Sequence, residues 1–350
     1  MSKKKIVICD YPNPKNYTFP SFGFGSSEKR VWQIAKSFSE MDDFEAIITG
    51  PLWLHEYIPK AKYFVKRLDE STADEFVCEF GKVDYLFAGH EYFGNPKYDQ
   101  AFLRVANKLM SYLLHPYNFD GVVFDGKKKH LFCYSDEMVE KYKEQSPHKL
   151  LLFHSGVGEL PIFTKYPKNY LVWMGRIDTD KSPHYAIMAA EKVGIPLYIL
   201  GKSVYQPEYE DKYKILLESQ NVKRCGVVFG DEKMRYLSNA LCGVYTLGSD
   251  YSEAGAGSLG EILKSGVPVA GITWKGNDAV CAAIDDPRLG KIVRVDKNMS
   301  DDIIATRLAE SIKCCIELDR TKIFELASYK FDPDRLAREM INIVNHSPIR

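Results

Sequence analysis

The feature that most narrows the fold is an alternation of short apolar runs, each ending in small or acidic residues, with amphipathic stretches. KKIVICD (Lys4–Asp10), EAIITG (Glu45–Gly50), VDYLFAG (Val83–Gly89), GVVFD (Gly121–Asp125), HLFCYS (His130–Ser135) and KLLLFHSG (Lys149–Gly156) read as strands. Between the first two, Val31, Ile34, Ala35 and Phe38 recur at helical spacing behind Ser26 and Ser27, either of which can cap a helix. Gly158–Asn169, with Pro161 and Pro167, reads as a linker, after which the pattern restarts. YLVWMG, PLYILGK, GVVFGD, GVYTLGS, VPVAGI and GKIVRV supply strands, Ser182-Pro183 opens a helix that Gly194 ends, and DPDRLAREMINIVNHS closes the chain as a helix. Strands alternating with helices predict parallel sheets, hence two α/β halves with a cleft between them.

Composition bears on what such a body can bind. The 350 residues include 47 Lys and Arg against 47 Asp and Glu, so bulk charge gives no general attraction to nucleic acid or an anionic membrane. One local basic stretch exists. In Pro51–Leu68, Lys60, Lys62, Lys66 and Arg67 interleave with Tyr57, Tyr63 and Phe64, and Lys127, Lys128 and Lys129 extend the charge. It reads either as a solvated amphipathic helix and charged turn, or as a face for an anionic membrane or a nucleic acid. The 8 cysteines form no C-x-x-C and no zinc spacing, which fits free thiols and no metal site. MSKKKIVICD is too short before its acid for a signal peptide, and no window approaches 18 apolar residues, so the expectation is a soluble, cytoplasmic protein.

Chemistry concentrates in Ser252–Ala270, SEAGAGSLGEILKSGVPVA. Gly255, Gly257 and Gly260 let backbone approach a ligand closely, and the loop Gly255-Ala256-Gly257-Ser258-Leu259 feeds a helix N-terminus whose unpaired N–H groups favour an anion. Gly266 stands where a helix would end, with Pro268 after it. Glu253 and Glu261 flank the glycines. Earlier in this half, Arg176 directly follows the strand YLVWMG and Lys181 precedes the capped helix, a fork and a point charge suited to a diphosphate. Glu261 is placed to accept ribose hydroxyls, as a carboxylate does in dinucleotide folds. In the first half, Gly23 and Gly25 ahead of Ser26 form either a tight turn into a helix or part of a phosphate loop, and His90 stands at a strand's carboxyl end.

These residues carry a resemblance. The order Gly-Arg…Lys followed by Glu-x7-Glu resembles that of the retaining nucleotide-sugar glycosyltransferases of family 4, which have the GT-B fold of two Rossmann-like, doubly wound domains facing across a cleft. FGFGSSEKR resembles that family's first glycine loop, FAGHEYF its histidine-bearing strand end and LFCYSDEMVEKY its strand–Ser–helix segment. LFHSGVGELPIF resembles its interdomain stretch, and VVFGDEKMRYLSNALCGVYTLGSDYSEAGAG the run into its signature. The chain departs from the pattern at Ala254 and Gly255, where that family usually carries glycine and a bulky apolar residue, at Ser182 for glycine, and at Ser155 and Gly158 for asparagine and aspartate.

The resemblance implies an acceptor-side domain over residues 1–160, a donor domain over 161–331, and a helix from 332 to 350 crossing back to the first. It implies retaining, metal-independent transfer of a sugar from a nucleoside diphosphate, UDP favoured, with no cofactor, to a hydroxyl of a glycan or lipid-linked acceptor. His90, Glu253, Arg176 and Lys181 would be catalytic. Gly23, Gly25, Ser26, Arg176, Lys181, Gly255, Ala256, Gly257, Ser258, Leu259 and Glu261 would bind the donor. The basic stretch could then meet a membrane bearing the acceptor. Asp178-Thr179-Asp180 is also a D-x-D, the metal-binding pair of the other main glycosyltransferase fold. Sugar-nucleotide epimerases and glycosyltransferases that modify DNA share the architecture, and a non-catalytic sugar-nucleotide-binding protein would keep the phosphate cradle.

Overall fold

The computed structural model describes residues 2–9, 26–50, 55–89, 92–93, 95–113, 123–151, 159–253, 255–275, 277 and 279–346. The chain divides into two compact units, Met1–Val157 together with Asp332–Arg350, and Gly158–Phe331.

The first unit runs β1 (Lys4–Cys9), α1 (Ser26–Glu40), β2 (Phe44–Thr49), β3 (Lys62–Phe64), α2 (Ala73–Phe80), β4 (Val83–Gly89), α3 (Pro96–Val105), β5 (Ala106–Tyr112), β6 (Lys129–Cys133), α4 (Asp136–Lys141) and β7 (His148–Lys149). Its strands pair in parallel in the order β3-β2-β1-β4-β5-β6-β7. A parallel strand covered on both faces must be apolar throughout, which is why Ile6, Val7 and Ile8 of β1 are all fully buried. At the start of α4, Ser135 accepts the Met138 N–H at 3.2 Å, so strand, Ser and helix follow directly.

The second unit runs β8 (Leu171–Met174), α5 (Pro183–Val193), β9 (Leu197–Leu200), α6 (Pro207–Lys212), α7 (Lys214–Leu217), β10 (Val222–Gly226), α8 (Gly230–Asn239), β11 (Cys242–Tyr245), α9 (Gly257–Leu263), β12 (Val269–Trp274), α10 (Ala279–Ala283), β13 (Gly290–Val295), α11 (Asp301–Cys315) and α12 (Arg320–Lys330). Its parallel order is β10-β9-β8-β11-β12-β13. Each sheet thus grows outward both ways from its first strand, and the direction reverses between β1 and β4 and between β8 and β11. Ligands of open α/β sheets bind at the carboxyl ends of the strands at such a reversal.

The last helix, α13 (Pro333–His346), belongs to the first unit. Leu336, Ala337, Met340, Ile341 and Val344 recur on one face and are buried, while Arg338 pairs with Asp43 at 3.1 Å and Tyr85 donates to Asn345 Oδ1 at 2.9 Å.

Several predicted elements are corrected. The described part of GVVFD, Val123–Asp125, is not a strand: Asp125 Oδ1 accepts the N–H groups of Lys127, Lys128 and Lys129 and turns the chain, leaving Val123 63% exposed. GVVFGD spans the end of β10, a three-residue loop, Val227–Phe229, and the start of α8, with Phe229 55% exposed. Of KLLLFHSG, only Lys149 is in a strand among the described residues. The basic stretch is an edge strand, β3, with turns around it rather than a helix. Its lysines are taken up by acids of other elements: Lys60 by Glu40, Lys62 by Glu45 at 2.7 Å and Lys66 by Glu75 at 2.6 Å. Lys129 likewise pairs with Asp99 at 2.6 Å. Among the described residues no helix is long and apolar enough to cross a membrane.

Candidate active site

The second unit gathers its charged side chains where the strand order reverses. β8 ends at Met174, and the loop Gly175–Ser182 carries Arg176, Asp178, Asp180 and Lys181 into α5; β11 ends at Tyr245, and the chain beyond it carries Tyr251 and Glu253. Backbone bonds weave these loops together, from Ile177 N–H to Lys202 O at 3.0 Å and from Gly248 N–H to Asp180 O at 2.9 Å. So close an approach needs glycine: at Gly201, whose φ is +152°, a Cβ would collide with the Gly175 carbonyl. Ser182 has a left-handed φ of +43° and its side chain does not cap α5 as expected. Its hydroxyl instead donates to Thr179 O at 2.6 Å and closes the loop behind Lys181.

At the centre, Lys181 Nζ lies 2.5 Å from Glu253 Oε2, and the Tyr245 hydroxyl donates to the same oxygen at 2.7 Å. Glu253 Oε1 accepts the Gly255 N–H at 3.0 Å. The Glu253 backbone is fixed by Asn277, whose Oδ1 accepts the Glu253 N–H at 2.9 Å while its Nδ2 donates to Tyr251 O at 2.8 Å. The Lys181 ammonium also lies 4.4 Å from the centroid of the Tyr251 ring. Burial alone would raise the Glu253 carboxyl. The Lys181 charge, with hydrogen bonds from Lys181, Tyr245 and the Gly255 amide, outweighs it and holds the group below its ordinary value. Burial likewise opposes charge on Lys181, and Glu253 reverses the balance, raising the ammonium well above its usual range. The pair is therefore ionised at neutral pH.

Arg176 forms a second cluster beside the first. Its Nη2 donates to Asp180 at 2.8 Å, and its Nε lies 2.8 Å from Asp178 at an angle that satisfies the charge but not the buried Nε–H. The guanidinium is 5.3 Å from the centroid of the Tyr205 ring. Asp178 is buried and also accepts the Lys181 N–H at 3.0 Å, and burial pushes its carboxyl up despite the guanidinium. Both acids of the D-x-D are thus turned to an arginine. Among the described residues no cluster of three or more His, Cys, Asp or Glu is arranged for a metal ion.

The structure revises the small-residue loop. Ala256 is the N-cap, while Gly257, Ser258, Leu259 and Gly260 lie within α9, with Leu259 fully buried. The Gly255 amide is engaged by Glu253 and is not one of a row of amides left for an anion. Gly266 does turn the chain after α9, with φ +69°. Glu261 is a buried acid beside Lys233, 3.1 Å away, and not a solvated acid on the helix face. Gly23, Gly25 and His90 lie outside the described residues, and Ser26 is the first residue of α1. Sequence reasoning missed Tyr245, Tyr251, Asn277 and Lys233. Tyr245 and Tyr251 sit in the quoted run VYTLGSDYSE, where distance from Glu253 was the available signal, but Asn277 and Lys233 reach the site from other elements.

No family model and no curated protein sequence matches the chain. Solved structures do resemble it. AviGT4, a glycosyltransferase involved in avilamycin A biosynthesis, is similar with a TM-score of 0.72 at 16% identity, over 99% of this chain and 98% of that one. A glycosyltransferase from Rickettsia africae ESF-5 gives 0.67 at 13% identity over 98% of both chains. Anabaena Alr3699/HepE in complex with UDP gives 0.63 at 12% identity, over 98% of this chain and 99% of that one. At such identities the likeness establishes the fold: two Rossmann-like α/β domains of the GT-B type.

Proposed function

We propose that this chain is a retaining glycosyltransferase that moves a sugar from a nucleoside diphosphate sugar to an acceptor hydroxyl, without a metal ion. The observation that carries this reading is the meeting of Arg176, Lys181 and Glu253 at the carboxyl ends of β8 and β11, where the strand order of the second unit reverses. Departure of a diphosphate requires preorganised positive charge. Arg176 and Lys181 supply it, each already partly buried and oriented, and each exchanging its present carboxylate for phosphate oxygens when the donor binds. Glu253, freed from Lys181 but still held by Tyr245 and Gly255, faces the transferred sugar as positive charge develops on it. Glu261 takes the ribose hydroxyls. His90 acts on the sugar, and Gly23, Gly25 and Ser26 help bind the donor, as the family resemblance implies. UDP is the favoured carrier because the similar Anabaena protein holds UDP. The acceptor is a glycan or a lipid-linked sugar, met from the cytoplasm.

The test is a thermal-shift screen of UDP-, GDP-, ADP- and dTDP-sugars, followed by assay of nucleotide release. A ligand at about 100 times its Kd adds ~2.7 kcal/mol, enough for a clear rise in Tm. One donor class should raise Tm, its nucleoside diphosphate should be released when an acceptor is supplied, and the product should keep the donor's anomeric configuration by NMR. Absence of any shift across the panel overturns the reading. Release without acceptor points to epimerisation or hydrolysis.

A further inference from the structure

A second charged cluster, which includes the Glu261 assigned above to the ribose, lies buried in the second unit. Lys233, in the first turn of α8, places Nζ 2.5 Å from Glu159 Oε1 and 3.1 Å from Glu261 Oε2. The three side chains are 2%, 0% and 4% exposed. Burying two carboxylates around one ammonium is costly, and a well-packed apolar trio is often at least as stable, so stability is a poor reason for its presence. Its location offers a better one. α8 and α9 both start from the carboxyl-end side of the sheet, and Glu261 lies one turn into α9, facing α8. Glu159 comes from the irregular segment that leads into β8, and that segment runs back along α8, where the Lys168 N–H donates to Asn239 O at 2.7 Å. Lys233 therefore joins the opening of the second unit to the acid on α9.

Resting on the reading of Glu261 as the ribose-binding acid, we propose that Lys233 is a positioning residue: it sets the rotamer and charge of the Glu261 carboxylate, and Glu159 holds Lys233 in place to do so. Lys233 sets a buried cation against the Glu261 carboxylate from the facing helix. The ribose contact would then depend on a residue that never touches the nucleotide, and its strength would be set from the chain segment carrying Glu159.

The experiment compares binding of UDP with that of 2′,3′-dideoxy-UDP by calorimetry. The wild type should prefer UDP by at least ~10-fold, the size expected for hydrogen bonds to a charged acceptor. Lys233→Met leaves two buried acids without a cation and can fail to fold, so the decisive variant is the charge-balanced Lys233→Met/Glu159→Gln double. It should lose most of the preference while retaining affinity for pyrophosphate, and Lys233→Arg should restore part of it. Preference unchanged in the folded double variant overturns the positioning role and leaves the donor reading standing. A wild type that binds neither nucleotide, nor any other nucleoside diphosphate, overturns both. A merely structural lysine would weaken UDP and its dideoxy analogue alike.

Discussion

The two units share a strand order, but the lysines at the switch point of the second and those on the edge strand of the first are placed in opposite ways. In the second unit Lys181, and Lys233 beyond it, are drawn inside the fold at the carboxyl side of the sheet and face carboxylates across little or no water. In the first unit Lys62 and Lys66 lie on or beside the edge strand β3, with side chains 55% and 51% exposed, and pair with acids at the surface. The bond lengths are nearly the same. What differs is the dielectric around them, which sets how much an ion pair matters and what breaking it does. An ion pair held at a switch point is a charge store that a ligand can redirect, whereas one on an edge strand is a solvated face that blunts strand-to-strand pairing.

The largest effect expected from that contrast is on turnover. Glu253→Ala and Lys181→Ala should each lower kcat at least ~100-fold, about 2.7 kcal/mol of transition-state stabilisation. Each also strands a buried partner, so the folded state should lose on the order of 3 kcal/mol as well, read as a fall in the urea midpoint. Glu253→Gln separates the two, since it keeps the volume and the acceptor for Tyr245 while removing the charge. Its kcat should fall as far as that of the alanine variant, with a smaller loss of stability. Near-normal turnover in folded Glu253→Gln or Lys181→Ala would detach the ion pair from the chemistry.

Acid tests the interior of both units with one measurement. His130, between β5 and β7, is held at about 4 by burial and by His148, whose Nε2 is 3.2 Å from its Nδ1. His184 on α5 is also held at about 4, chiefly by burial, with its Nδ1 2.6 Å from the Tyr209 hydroxyl and its ring stacked on Tyr213. A histidine whose folded value lies below its unfolded 6.5 takes up a proton first in the unfolded chain. Stability is therefore full above pH 6.5 and falls as pH drops from 6.5 towards 4, by on the order of 2 kcal/mol for each histidine. Glu253 adds to the loss only lower down, since its depressed carboxyl gives stability that disappears as pH falls below 4.5. Urea midpoints at pH 7.5, 6 and 5 should decline steadily, and His184→Phe should remove part of the slope. A flat profile between pH 7.5 and 5 would show that neither histidine is kept neutral by the fold.

Legibility in the sequence followed the same division between local and long-range causes. VDYLFAG and GKIVRV are bounded by their own residues and form strands over the predicted spans, and Gly266 turns the chain after α9 as a left-handed glycine should. By contrast, β5 begins at Ala106 with no residue between it and α3, so ANKLMSY has no punctuation to mark it. GVVFD and GVVFGD have the composition of strands but place Val123 and Phe229 in solvent, because tertiary context and not hydrophobicity decides which apolar runs pair. At the site, Arg176, Lys181 and Glu253 were legible because each follows a strand end in its own local pattern. Lys233 and Asn277 were not: one looks like a surface lysine on a polar helix and the other like a loop residue, and only the packing of α8 on α9 and of Asn277 on the Glu253 loop buries them.

The smallest expected effect lies on the edge strand. Exposed pairs of the Lys62–Glu45 and Lys66–Glu75 kind contribute about 0.2–1 kcal/mol and weaken with salt. Lys62→Ala and Lys66→Ala should therefore move the urea midpoint barely beyond error, and less still in 0.5 M salt, where the variants and the parent should coincide. The same substitutions weigh the alternative use of the stretch. If its lysines serve their carboxylate partners, sedimentation with vesicles containing anionic lipid should bring down little protein, and the double variant should behave like the parent. If the stretch instead docks on an acceptor-bearing membrane, the parent should pellet in a salt-sensitive way and the double variant should lose roughly 1 kcal/mol of binding per lysine removed. That result would show that the surface pairs are exchanged when a ligand arrives, as is proposed for the buried one at Glu253, and the difference between the two sets of pairs would then be one of ligand and not of dielectric.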